Sequence, residues 1–586
     1  MGRPAGWGAG RAGPKGGRVV ASRHRPATRR GTGIVVTAAN RDRANEALPF
    51  VLLEAAAKKL ADDVAGFTKL FDEDPPTYKR PPTLPVAGNT LDIAQGGHKT
   101  LLAWAKEYGA EGLHEVKMLN QPILHITDPA LAKDLMFDRF DTFPDRGVSA
   151  MAKFFREDQA AFVNTSGKQW MAYRKMGTAA VNGSALDRLA GKVAERSEAL
   201  VARWAAKASA GGGTVEVDVD DASQAVTLEV IHEALFSEQL DVIDEEPGAV
   251  ALKRSFRRFN VVNQDLLNDF LQLYQRFDTP EVQQREMHRR RLRAHFDARA
   301  DAREAAIAAQ GAKAVPQDLL TALLTARDPV TGAPLSRDDV NLTLTEMMVA
   351  GHDTTAATVA CMLSMLAANP AVLAEVRAEV DAVVDAEGGA LPRTVAQTAA
   401  LKKTEDAMKE AMRLYPAVLI VVRKADEGVS GELTNVKGGA TSGGKTFKVP
   451  SGAGMWISPY VMGRLPQHWG GDAADVAAYR PARFAEAEAA GTSLDAYMPF
   501  GGGPRVCLGS RFAMLEGKVL AAAIIRNFDL ELTPALKERM KAEGGELPIS
   551  YAAGLMSFPE PLRLRVTPRR RKVGSKPQPT AAAGAR

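Results

Sequence analysis

The stretch Phe500-Gly-Gly-Gly503-Pro-Arg505-Val-Cys507-Leu-Gly509, running into Ser510-Arg-Phe-Ala-Met-Leu-Glu516, constrains this chain more than any other segment. Glycines on both sides of a cysteine let the backbone turn tightly and pass close to a flat group. Main-chain amides in such a turn can point at the sulfur, which favours the thiolate and tunes its electron donation. With 2 cysteines in the whole chain, Cys361 and Cys507, a disulfide framework is excluded, and so is a four-cysteine zinc or iron-sulfur site. The 9 histidines show no HExxH spacing either. A metal held by Cys507 must therefore bring its own equatorial ligands, and a porphyrin meets that condition.

Three further patterns carry chemistry. Ala350-Gly351-His352-Asp353-Thr354-Thr355 lies inside a long apolar pattern from Val340 to Leu366. An acid next to an alcohol can organise a proton relay that does not flood a site with water; taken alone, the same cluster serves equally as a helix cap or a surface group. His352, a lone histidine, reads as structural rather than as a ligand. Glu410 and Arg413, three apart, share one helix face, an arrangement common on solvated helices. Trp170 and Arg174, four apart, project from one face of a predicted helix.

The cysteine segment fills every fixed position of Phe-x-x-Gly-x-Arg-x-Cys-x-Gly and so resembles the signature of the cytochrome P-450 family of haem-thiolate monooxygenases. The other motifs follow in the family's order, and the resemblance covers residues 78–566. It implies a mainly α fold with small β-sheets, the cytochrome P-450 fold, in a single large catalytic domain. It implies haem b (iron protoporphyrin IX) held by Cys507 as the proximal iron ligand, with Phe500 and Gly509 in the cofactor loop. Ala350 and Gly351 then leave room for dioxygen, and Asp353 with Thr354 becomes the proton-delivery pair. Trp170, Arg174, Arg423 and Arg505 match positions that meet the haem propionates, and arginine's donor fork suits a carboxylate. Glu410 and Arg413, joined by Arg483 from the Tyr479-Arg-Pro-Ala-Arg-Phe484 segment, match a buried support of the haem-binding core; Ala482 stands where the family often has Glu, so one peripheral contact is in doubt.

The reaction this implies is insertion of one oxygen atom from O2 into a C–H bond or double bond of a lipophilic substrate. Nothing resembles a fused flavin domain, so electrons come from a separate partner: ferredoxin if the chain is plastidic, NADPH-cytochrome P-450 reductase otherwise. Two alternatives stand beside this reading. One is a haem-thiolate hydroperoxide isomerase or dehydratase, whose members usually depart from the distal Asp-Thr or alter the cysteine loop. The other is a non-catalytic haem sensor or carrier. Leu414-Tyr-Pro-Ala-Val-Leu-Ile-Val-Val-Arg423 and the Asp-Thr-Thr helix look similar to fatty-acid and carotenoid hydroxylase branches, plastid ones included. The substrate-contacting loops are expected within residues 140–165 and 237–280.

Length and composition set the frame. The 586 residues, 45% of them hydrophobic and 25% charged, suit a globular chain with a large core. The net charge of +5 is concentrated in basic ends, and no basic face interleaved with aromatics suggests nucleic acid. Residues 1–41 carry nine Lys and Arg and no acidic residue, which resembles a transit peptide for chloroplast import, with mitochondrion second and the endoplasmic reticulum surface a further alternative. Residues 42–77 are expected to hold a helix, Leu48 to Leu70, and a proline-rich linker. The helix could lie on a membrane surface; no apolar run is long enough for a transmembrane helix. Beyond the 78–566 domain, residues 567–586 read as a disordered basic tail. Within the domain, Leu113 to Ile126 is strand-like, 425–446 reads as a loop or hairpin, and Lys448-Val-Pro and Met455-Trp-Ile read as a strand pair.

Overall fold

A computed structural model describes residues 78–146, 165, 167–262 and 280–570, apart from short gaps at 85–86, 119–120, 182, 329–330, 427, 435–443 and 553. The expected transit segment, the Leu48 to Leu70 helix and, within the two expected substrate loops, residues 147–164 and 263–279 lie outside the described residues. Helix α1 (Thr90–Tyr108) leads into the hairpin β1 (Leu113–Met118) and β2 (Gln121–Ile126). A helical body follows: α2 (Gly167–Val181), α3 (Ser184–Ala210), the short strand β3 (Val215–Asp218), α4 (Val219–Phe236), α5 (Pro247–Val262), α6 (Pro280–Gln310), α7 (Arg337–Ala368), α8 (Pro370–Ala386) and α9 (Lys402–Leu414). Then come β4 (Val421–Lys424), β5 (Gly431–Thr434), β6 (Thr446–Val449), β7 (Gly454–Ile457), α10 (Ala482–Ala489), α11 (Ser510–Asn527), β8 (Phe528–Leu532), β9 (Ser550–Ala552), β10 (Leu555–Ser557) and β11 (Arg563–Pro568). The architecture is mainly α with small sheets, as expected.

Helix α7 is the axis of this body. Ser336 and Asp339 form a reciprocal cap at its start, the Ser336 hydroxyl accepting the Asp339 amide at 3.1 Å and the Asp339 carboxylate accepting the Ser336 amide at 3.3 Å. The sequence that follows is apolar on every side rather than on one stripe, which marks a helix enclosed by others. Its buried threonines turn their hydroxyls back to carbonyls four residues earlier, Thr343 to Asp339 at 2.8 Å and Thr345 to Asn341 at 2.7 Å, so these hydroxyls are satisfied within the helix. Gly351 lets α4 approach closely: a Cβ at this position would lie 2.6 Å from Ile231 Cγ1. Each large aliphatic side chain so enclosed contributes about 1.5–3 kcal/mol.

The main sheet has the order β1-β2-β7-β4, with β2 and β7 parallel and the other pairs antiparallel. The expected pairing of Lys448-Val with Met455-Trp-Ile is corrected here. Strand β6 pairs with β5, and β7 pairs with β2 and β4 in a different sheet. The Pro450-Ser-Gly turn between them, with Gly452 at φ +74°, redirects the chain instead of folding it back on itself. The tail boundary moves as well. Thr567 and Pro568 belong to β11, and Arg569 pairs with Asp381 at 2.9 Å, so the ordered domain reaches at least Arg569.

Candidate active site

The cysteine loop is fixed by backbone contacts. The Cys507 amide donates to the Phe500 carbonyl at 2.9 Å and the Val506 amide to the Gly503 carbonyl at 3.0 Å. Gly503, at φ +66°, rests against the π-turn Asp134–Asp138: a Cβ there would lie 1.9 Å from the Met136 carbonyl oxygen, so no other residue fits. Gly509 differs, with an ordinary φ of −89° and open space where a Cβ would stand. The protein itself does not demand glycine at this point, whereas a flat group lying beside the loop would.

Cys507 has substantial accessible surface, yet burial pushes its thiol pKa up, against the Gly509 amide and the charges of Arg146 and Arg174, which draw it down. Both statements hold for a sulfur that faces an internal space rather than bulk solvent. The start of α11 immediately after the loop adds the positive end of a helix dipole.

Around this loop stand four arginines. Arg174 Nη1 donates to the Val506 carbonyl at 2.9 Å, and Arg146 Nη2 to the Arg505 carbonyl at 3.2 Å. Arg505 Nη2 reaches the Thr165 carbonyl at 2.7 Å, and its guanidinium lies 4.4 Å from the Trp170 ring centroid. Arg423 on β4 is 1% exposed, donates from Nη1 to the Val422 carbonyl at 2.9 Å, and has Nε and Nη2 without hydrogen-bond partners. Burial, with Arg146 and Arg505 nearby, pushes Arg423 down to about 9, and burial with Arg146 brings Arg505 down to about 10. Asp145 and Glu346 oppose part of this charge, but burial itself raises Asp145, which faces Asp426. The region holds more positive charge than its own carboxylates balance, and orphaned guanidinium nitrogens are costly. A group bearing two carboxylates, as haem does, fits this set.

On α7, the residues before and after the Ala350–Thr354 turn are closely buried, while Ala350 is exposed and Gly351, Asp353 and Thr354 are partly accessible. Thr354 Oγ1 donates to the Ala350 carbonyl at 2.8 Å. The opening lies at Ala350; the space at Gly351 is filled by Ile231, so that glycine serves helix packing rather than making room for dioxygen. His352 is fully buried, with Nε2 2.9 Å from Asp353 Oδ1, although the two are not aligned as a hydrogen bond.

Glu410 is enclosed by two arginines. Arg413 binds it through Nε at 2.7 Å and Nη2 at 2.8 Å, and Arg483 Nε adds a bond at 2.9 Å. Both arginines also donate to backbone carbonyls, Arg413 to Gly463 at 2.6 Å and Arg483 to Asp475 at 3.0 Å. The charges are thus paired and their remaining donors used, which is what makes burial tolerable. Sequence reading missed Asp475, 3.6 Å from Arg483 Nη1, and Arg146, which sits in no recognisable spacing.

The cytochrome P450 family model matches residues 79–553. Over 475 residues the chain is 25% identical to cytochrome P450 CYP13A7 of Caenorhabditis elegans, covering 75% of this chain and 85% of that protein. It is 26% identical over 424 residues to cytochrome P450 CYP72A613 of Trigonella foenum-graecum, covering 70% and 74%. It is 27% identical over 443 residues to cytochrome P450 734A4 of Oryza sativa subsp. japonica, covering 74% and 78%. With the match covering most of its length, the chain belongs to the cytochrome P450 family. It is a haem-binding monooxygenase, an oxidoreductase that uses dioxygen.

Proposed function

We propose that the enzyme hydroxylates or epoxidises a lipophilic substrate, with electrons supplied by a separate donor protein. The observation that carries this reading is the surplus of buried arginine charge around Cys507, together with a helix whose buried middle opens at Ala350–Thr354. Haem, when bound, supplies the iron at which dioxygen is activated, with the thiolate donating electron density. Cys507 would hold the iron, while Arg174, Arg423 and Arg505 would bind the propionates, with Trp170 flanking Arg505 and with Arg146 joining them. Phe500 closes the loop through its carbonyl, and Glu410, Arg413 and Arg483 brace the segment behind it. Asp353 and Thr354 would move protons toward the opened turn of α7, which otherwise admits little water.

The intact acid-alcohol pair favours oxygen insertion over hydroperoxide rearrangement. Among the described residues no single helix is long and apolar enough to cross a membrane. For location, the acid-free basic segment 1–41 supports chloroplast import and hence a ferredoxin donor. The test uses the haem-loaded full chain with fatty acids and carotenoids, supplied with either ferredoxin and its reductase or NADPH-cytochrome P-450 reductase. Product carrying one oxygen atom from isotopically labelled O2 supports the proposal. Rearrangement of a lipid hydroperoxide without O2 uptake would establish the isomerase, and haem binding with no product from any donor would favour the sensor.

A further inference from the structure

We propose that His352, enclosed between α4, α5 and α7, holds the proton that Asp353 delivers. The inference rests on the reading of Asp353 as the proton-delivering acid. His352 Nδ1 lies 2.7 Å from the Met348 carbonyl oxygen. A carbonyl only accepts, so Nδ1 carries hydrogen. The other ring nitrogen, Nε2, lies 2.9 Å from Asp353 Oδ1. A neutral ring in this tautomer would set its lone pair against a carboxylate oxygen, so the contact is favourable only with a proton between the two groups.

The surroundings favour a charged ring. The ring is 0% exposed and meets Phe256 of α5 edge-on at 5.3 Å, while Thr227 of α4 donates to the His352 carbonyl at 3.1 Å. Burial alone would keep the ring neutral, but Asp353, the Met348 carbonyl and Asp220 together raise its pKa. Asp220, in the first turn of α4, is 4% exposed, accepts Gln224 Nε2 at 2.9 Å and lies 3.9 Å from Arg257 Nη2. Burial pushes it up to about 7, against Arg257 and aided by Asp218 and Asp353. Arg257 also reaches Asp221 at 3.5 Å, Asp221 pairs with Lys253 at 2.8 Å, and the Asp221 side chain is 46% exposed. In the transfer the Nε2–H bond breaks and an Oδ1–H bond forms on Asp353. The ring becomes neutral, with no change in electron count.

The test is nuclear magnetic resonance of the full, haem-loaded chain in its diamagnetic carbon-monoxide-bound form, with the histidine rings carbon-13 labelled and the His352 signal assigned from His352→Gln. The Soret band of the same samples reports haem binding separately. The expected result is titration of His352 above the ordinary 6.5, falling by at least one unit in Asp353→Asn and by less in Asp220→Asn. If His352→Gln fails to fold, the His352 signal is assigned from its cross-peaks to the Phe256 ring, whose centroid lies 5.3 Å away. A ring that titrates below 6.5, or is indifferent to Asp353→Asn, overturns the proposal.

Discussion

Arg413 and Glu410 make a two-pronged ion pair with neither side chain accessible to solvent, and Arg483 closes the third side of the carboxylate. Removing one partner strands the others without water. Arg413→Ala is expected to cost about 3–5 kcal/mol, whereas an exposed pair such as Lys403–Glu375 costs well under about 1 kcal/mol when broken. Thermal unfolding of the two variants side by side checks the contrast.

Arg423 carries an opposite expectation for the two states of the protein. Its partnerless Nε and Nη2 burden the haem-free chain, so Arg423→Leu should leave that form equally stable or more stable, by up to about 1–3 kcal/mol. The same change should speed haem loss, read as the rate of transfer to apomyoglobin, by roughly tenfold or more for one charge-assisted bond lost. Equal destabilisation of both forms would mean that Arg423 acts in packing alone.

Gly503→Ala and Gly509→Ala separate protein packing from cofactor fit. The first drives a Cβ into the Met136 carbonyl and should lower the melting temperature of the haem-free chain; the second meets nothing in the protein and should not. Both should reduce haem uptake, measured by titration of the Soret band.

The fold class and most of the site were legible because their residues are tied to short local spacings. The cysteine loop, Glu410 with Arg413, and Trp170 with Arg174 each sit within ten residues, where helix periodicity or a glycine turn fixes geometry. Arg483 came through family resemblance, not spacing, since 70 residues separate it from Arg413. Arg146 and Asp475 were illegible because a single charged residue outside any periodic pattern shows no sign of what it meets. The β6–β7 pairing failed for a related reason. A turn between two strand-like runs does not reveal that one of them is claimed by β2, more than 300 residues earlier. Gly351 was read as space for a ligand because its neighbour across the helix interface, Ile231, lies on another element.

Acid should destabilise the chain through the buried pair His114 and His125 on β1 and β2, whose ring nitrogens lie 3.3 Å apart. Burial lowers His114 to about 4 and holds His125 well below its ordinary range, with His114 adding to the effect on His125. Below the ordinary 6.5 the unfolded chain binds protons that the folded chain does not, so stability falls as pH drops from 6.5 toward 4. The loss from His114 is on the order of 3 kcal/mol across that window. Replacing both, His114→Phe with His125→Leu, should flatten this acid limb relative to wild type in urea unfolding from pH 7 to 4.

The most direct test of the whole account is the carbon monoxide difference spectrum of the dithionite-reduced chain lacking residues 1–41, recorded beside Cys507→Ala. A strongly red-shifted Soret band that the substitution abolishes is the predicted result, since the Cys507 thiolate would be the ligand that shifts it. A chain that takes up no haem, or a band unchanged without the Cys507 sulfur, would contradict it.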